Sequence, residues 1–243
     1  MQAIMMSVRP RHVCNILNLI KLWEIRKIFP NDFVGWVYIY CTKVKGLLSD
    51  NGYGEYYIVE SKECKDIVKS RNYYSNGKVV ARFWCDKVDT FRCNITGNLK
   101  DGFFNAEPYC KVIEVGIAKY NCNDEFEEIL KNAQITNKEL AQYLGDKRYP
   151  YGAWYVFNAV HITKLEIFDE PKELNEFHKV GYEKELTETQ YYVDDVVGSS
   201  CYEGDEPSSQ LQSWIDKQFE EVEKEYQITK APQSWCYVEV ENE

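Results

Sequence analysis

No stretch of this sequence strings together the roughly 18 apolar residues that a membrane-spanning helix needs, so no membrane partner is expected. Residues 1–10 lack the charged-then-apolar pattern of a signal peptide and read directly as structure, which makes the cytoplasm the expected location. Cysteine occurs nine times, an odd number at irregular spacing with no C-x-x-C pair. The three histidines, His12, His161 and His178, stand far from any cysteine pair. A zinc site and a disulfide framework are therefore not signalled, and reduced thiols fit the pattern. A Gly-x-x-x-x-Gly-Lys phosphate loop is also missing, so neither a metal nor a cofactor is expected.

What is present argues for a folded domain. Of 243 residues, 44% are hydrophobic and 15% aromatic, with 19 tyrosines and six tryptophans, which excludes a disordered chain. The length suits one elaborated domain or two small ones at about 100–200 residues each. The formal net charge of -10 argues at first against a nucleic-acid partner, because phosphate repels it. The charge is not evenly spread, however. Residues 182–225 hold 13 acidic side chains against three basic, a net of -10 that equals the whole chain's charge, whereas residues 1–92 carry 15 basic against nine acidic. The acidic segment reads either as a solvated face, as a polyanion covering a basic surface, or as a grip for a basic protein partner.

The pattern along the chain alternates between strands and short helices. Residues 2–8 form an apolar strand, and Arg9-Pro10 opens a helix in which Val13, Ile16, Leu17 and Ile20 fall on one expected buried face. Leu22 to Ile28 alternates so that Glu24 and Arg26 share one strand face. Trp36–Thr42 and Lys78–Val88 read as strands, the second following the turn signal Asn76-Gly77. Asn123–Asn132 and Thr136–Leu144 read as helices, the latter opened by the capping box Thr136/Glu139 and closed by Gly145. Ala153–Phe168 reads as one or two strands. Gly181–Pro207 is polar and reads as a long loop. Ser208–Tyr226 carries Leu211, Trp214, Ile215, Phe219, Val222 and Tyr226 on one helical stripe. Many short strands with few helices indicate a β-barrel or an α+β domain.

The most informative stretch is Ser7-Val8-Arg9-Pro10, then a short helix, then Lys21-Leu22-Trp23-Glu24-Ile25-Arg26. It resembles the ASCH family of the PUA-like superfamily, whose signature is Ser-x-x-Pro, a helix, and Gly-x-Lys-x-x-Glu-x-Arg. Ser7, Pro10, Lys21, Glu24 and Arg26 match; the glycine position holds Leu19. Gly35–Thr42, Gly77–Phe83 and Ala153–Phe168 with Pro171–Leu174 look like later strands of that fold, and Ala231–Val238 resembles the last strand of phage and prophage members. The resemblance implies an α+β, PUA-like β-barrel formed by residues 1–177 and 231–243, with peripheral helices and an acidic insertion, 178–230, before the last strand.

It also implies a function. Domains of this type resemble RNA-binding modules, so the expected ligand is RNA or a modified nucleoside or nucleotide held by Ser7, Lys21, Glu24 and Arg26. Glu24 accepts from base donors, and Lys21 and Arg26 meet oxygens. Tyr40, Trp235 and Tyr237 are the expected stacking faces. Some members are amidohydrolases of N4-acetylcytidine that carry Lys-x-x-Thr-x-Arg and a distant glutamate. Here threonine is replaced by Glu24, and the distant position falls near Ala133-Gln134, with Glu127 or Glu128 as substitutes. Were the protein an enzyme of this kind, or an RNA-cleaving one, Lys21 and Glu24 would be its catalytic pair. A third reading is a phage-encoded interaction module working through residues 182–225. A Glu24–Arg26 ion pair with a purely structural role, and aromatics serving only as core, is the competing account of the same residues.

Overall fold

The computed structural model describes residues 2–43, 77–98, 103–113, 117–120, 123–145, 154–200 and 206–239. Asn76, half of the expected turn, lies outside them; its neighbour Gly77 has φ 81, a backbone state that glycine adopts readily. The described residues form ten strands and five α-helices, an α+β fold.

The first sheet is ordered β10-β1-β3-β4-β9: β1 is Gln2–Val8, β3 Gly35–Cys41, β4 Val79–Cys85, β9 Thr163–Lys172 and β10 Trp235–Glu239. β1 runs parallel to β3 and antiparallel to β10. Its residues from Ala3 onward are buried on both faces, which explains an apolar run without alternation. Ile4, Met6 and Val8 pack with Val13, Ile16 and Leu17. Ala3 and Met5 face the opposite way, toward Tyr38, Tyr40, Val79, Phe177 and Ile228.

The second sheet is ordered β2-β8-β5-β6-β7: β2 is Trp23–Arg26, β5 Val88–Asn98, β6 Phe103–Ile113, β7 Ile117–Tyr120 and β8 Trp154–His161. The expected single strand Lys78–Val88 breaks at the exposed Asp86-Lys87, where β4 of one sheet hands over to β5 of the other. β8 and β9 are likewise separated only by Ile162. Two antiparallel pairs, β4/β9 and β5/β8, thus pass from sheet to sheet. Among the described residues no ladder joins the two sheets into a closed barrel.

Helix α1, Pro10–Leu17, has proline at its first position and buries Val13, Ile16 and Leu17. It ends a turn earlier than expected, and Ile20 is exposed rather than part of the buried face. The ending is a Schellman arrangement: Leu19 N–H donates to Ile16 O and Ile20 N–H to Asn15 O, with Leu19 at φ 56. The residue at the glycine position of the resemblance therefore occupies the left-handed state that glycine favours.

Helices α2 (Asn123–Ala133) and α3 (Asn137–Leu144) cover the second sheet; Phe126, Ile129, Leu140 and Leu144 pack on Ile25, Phe91 and Phe157. The Thr136/Glu139 capping box forms as expected. Gly145 ends α3 with φ -56, so the helix closes without a left-handed residue.

The polar stretch expected to be a loop is instead helix α4, Tyr182–Ser200, followed by α5, Ser209–Tyr226. Tyr182, Leu186, Thr189, Val193 and Val196 recur at helical spacing, and only Val193 is deeply buried. Glu183 and Glu185 in the first turn suit its positive end. His178 ties the base of this hairpin down. Its Nε2 lies 2.9 Å from Glu223 Oε1, its ring stacks on Tyr182, and Tyr182 Oη donates to Glu223 Oε2 at 2.6 Å.

Candidate functional site

β2 is short, and its alternation divides four residues between two tasks. Ile25 faces the core beneath α2 and α3, while Glu24 and Arg26 share the other face. Lys21, just before the strand, is 1% exposed; Glu24 and Arg26 are each 6% exposed. Lys21 Nζ donates to Ala133 O, the carbonyl end of α2, where a cation suits the helix dipole. It also lies 3.3 Å from Glu24 Oε2, while Arg26 Nη2 lies 3.1 Å from Glu24 Oε1 and donates to Ser7 O at 2.7 Å. Ser7 in turn donates through its hydroxyl to Pro232 O at 2.6 Å and through its amide to Ser234 O. The cluster thereby joins both sheets, α2 and the segment entering β10.

Burial alone would push the Glu24 carboxyl up, but Lys21 and Arg26 outweigh it and hold it below the usual carboxylate range. Burial lowers the Lys21 ammonium, with Glu24 opposing. Burial also lowers His12, again against the pull of Glu24. The site at neutral pH thus presents an ionised carboxylate beside a neutral imidazole.

A cavity of about 690 Å3 opens over this cluster. Arg9, Lys21, Arg26 and Lys27 line it against Glu24 and Glu139, so the surface is locally basic in a chain of net charge -10. Ser7, His12, Tyr143 and Ser234 also line it. Four of the expected residues therefore come together: Ser7, Lys21, Glu24 and Arg26. The three expected stacking aromatics do not. Tyr40 is 4% exposed, covered within the cluster of Phe177 and Ile228. Trp235 points its Nε1 at Ile28 O and packs edge-on against Phe29. Tyr237 is partly exposed against Trp235 but does not line the cavity.

The aromatic that does line the cavity is Tyr143, with Lys27 Nζ 5.4 Å from its ring centre. His12, Glu139 and Tyr143 were not expected here. Glu127 and Glu128, the expected substitutes for a distant carboxylate, are exposed on α2; the second carboxylate at the cavity is Glu139, fixed by its capping box and by Arg11 at 2.6 Å. The capping box marked Glu139 in the sequence, but as a helix starter only. His161, held by Asp89 at 2.9 Å and stacked on Trp23, lies outside the cavity.

No protein-family description matches this chain, and no curated protein does. Among solved structures, one described as "Crystal structure of ASCH from Zymomonas mobilis" aligns with a TM-score of 0.38 and 9% sequence identity, over 76% of this chain and 79% of that one. The groups of ≥ 3 His, Cys, Asp or Glu residues that hold a metal ion are absent among the described residues, and no described helix is long and apolar enough to cross a membrane.

Proposed function

We propose that this protein is an ASCH-type domain that binds RNA or a modified nucleotide in the cavity over Lys21, Glu24 and Arg26. The observation that carries this reading is the coincidence of the motif with a built cavity. Ser7, Lys21, Glu24 and Arg26, read from the sequence as one set, surround a single space of a size typical of small-ligand sites. Its chemistry suits a nucleotide. An ionised carboxylate and a guanidinium meet the hydrogen-bonding edge of a base, Tyr143 offers a face for stacking, and Arg9 and Lys27 meet phosphate. The test is binding of the full chain to a panel of short RNAs and nucleotides. Tyr143→Ala and Lys27→Ala, both at exposed side chains, should weaken affinity several-fold without changing the thermal midpoint. Unchanged affinity in both would remove the cavity from the account.

A second reading rests on the ionised Glu24 beside neutral His12 and buried Lys21. As general base Glu24 would take a proton from water as it attacks the acyl carbon, so that cleavage of the C–N bond of N4-acetylcytidine would release cytidine and acetate; its lowered carboxyl pKa makes it a weak base for that step and favours the binding reading. Mass spectrometry of that nucleoside after incubation separates the two readings, because a binder leaves it intact.

A further inference from the structure

One side of the cavity lip is apolar. Ile28, which lines the cavity, is 73% exposed. Trp235 Nε1 donates to Ile28 O at 2.8 Å, which holds the half-buried indole against that lip. Tyr237 meets Trp235 edge to face, with ring centres 5.4 Å apart, and is itself 38% exposed. Gln233 and Ser234, two more cavity residues, lead directly into the strand that carries both rings. A lone exposed apolar side chain is ordinary on a protein surface. Three joined in a row at the mouth of a polar cavity form a patch of the kind that marks binding.

The sheet accounts for the patch staying open. β10 is the outermost strand of the first sheet, and Trp235 and Tyr237, two residues apart, share one of its faces. Their partners on β1 are Met6 and Ile4, which are buried in the cluster of Val13, Ile16, Leu17 and Phe29. Phe29 reaches far enough to pack on Trp235 as well. That cover ends before Tyr237, whose ring stays in contact with water at the sheet edge. Arg9 and Lys27 line the cavity behind this ledge, so its basic charge favours a polyanion over an apolar peptide as the occupant.

We infer that the ligand is a single strand of RNA and not a free nucleotide, with one nucleotide in the cavity and an adjoining base on the ledge of Ile28, Trp235 and Tyr237. The inference rests on the nucleotide-binding reading above and names the substrate class within it. A free nucleotide fills the cavity and leaves the ledge in water. A strand covers both, and it is single because a base enters the cavity only when it is unpaired. Every base has a face that stacks on an aromatic ring, so the ledge adds affinity without adding sequence preference. The phosphate that joins the two nucleotides crosses the lip, where Lys27 is exposed beside Ile28.

The test uses the full chain and four pentaribonucleotides that differ only in the central base. Each is also made with abasic sugars on both sides of the centre, which keeps every phosphate and removes only the flanking bases. Calorimetry should show the best-bound intact pentamer held at least about fivefold more tightly than its abasic form, the lower end of what one base–aromatic stack supplies. Tyr237→Ala, checked for folding by circular dichroism, should bring that ratio near unity and bind the abasic form as the unaltered chain does. Tyr237→Phe keeps the ring and should keep the ratio. The ratio in the unaltered chain reads the inference even if Tyr237→Ala fails to fold. Equal binding of intact and abasic pentamers overturns the ledge and leaves nucleotide binding in the cavity standing. A ratio that persists undiminished in a folded Tyr237→Ala also overturns the ledge. No binding to any pentamer overturns both.

Discussion

The cavity and the helical hairpin use the same side chains, glutamate and lysine, in opposite surroundings. In the hairpin they meet one turn apart on exposed faces, as Lys184 with Glu188, Lys217 with Glu221 and Lys224 with Glu220, at 3.0–3.6 Å. Such pairs are screened by water and salt and contribute a few tenths of a kcal/mol each. In the cavity Lys21, Glu24 and Arg26 have left water almost entirely, and the two cations keep the Glu24 carboxyl ionised. Thirteen carboxylates in residues 182–225 therefore determine the net charge, while one carboxylate, Glu24, determines how the cavity is held together. Chain-wide charge is a poor guide to partners when the charge that matters is the buried minority.

Substitution at the two places should show the widest separation. Glu24→Ala strands two buried cations and should cost about 3–5 kcal/mol in denaturant unfolding, whereas Glu188→Ala or Glu221→Ala should cost less than about 0.5. Equal losses at both places would abolish the contrast. Acid comes next in size. Glu24 is held below its ordinary value near 4.3, so the unfolded chain binds its proton first, and the stability it supplies is present above that value and lost as pH falls through the lower folded one. His12, lowered by burial, adds a loss that begins as pH falls below about 6.5, because the unfolded chain takes that proton first too. Stability measured against pH should therefore fall on the acid side, with the part that begins just below about pH 6.5 flattened in His12→Gln.

Smaller effects sharpen the comparison. His178→Ala removes the ring that stacks on Tyr182 and pairs with Glu223, and should cost about 1 kcal/mol while hastening proteolysis within residues 182–226. Leu19→Gly relieves a left-handed, half-exposed leucine and should raise stability by up to about 1 kcal/mol, less the entropy that glycine adds to the unfolded chain. Smallest of all, 1 M salt should weaken the exposed hairpin pairs and leave the buried cluster nearly untouched, as double-mutant cycles at both sites would show.

The legible part of the molecule was whatever short-range pattern controls. Pro10 at the first turn of α1, the Thr136/Glu139 box and the stripe on α5 each depend on neighbours within a few residues. So does the shared face of Glu24 and Arg26. The helix α4 was hidden because its buried side is thin: threonine, glutamine and acidic residues outnumber the apolar ones, and composition outweighed spacing. His12 and Tyr143 could not be read as cavity residues because their place depends on how α1 and α3 dock on two sheets. The three aromatics chosen for stacking were chosen by type. Burial then assigned Tyr40 to the core and Trp235 to a carbonyl of its neighbour.

The route by which Ser7 holds the cavity wall has a consequence in time. Ser7 bonds to Pro232 and Ser234, so floor and wall lie more than 200 positions apart in the chain. At about 5–20 residues per second of synthesis, roughly ten to forty seconds separate the appearance of Arg26 from that of Ser234. During that interval Lys21, Glu24 and Arg26 are made but their enclosure is not. On the proposed function, a nascent chain stalled before residue 234 should hold these charges in water and bind no nucleotide.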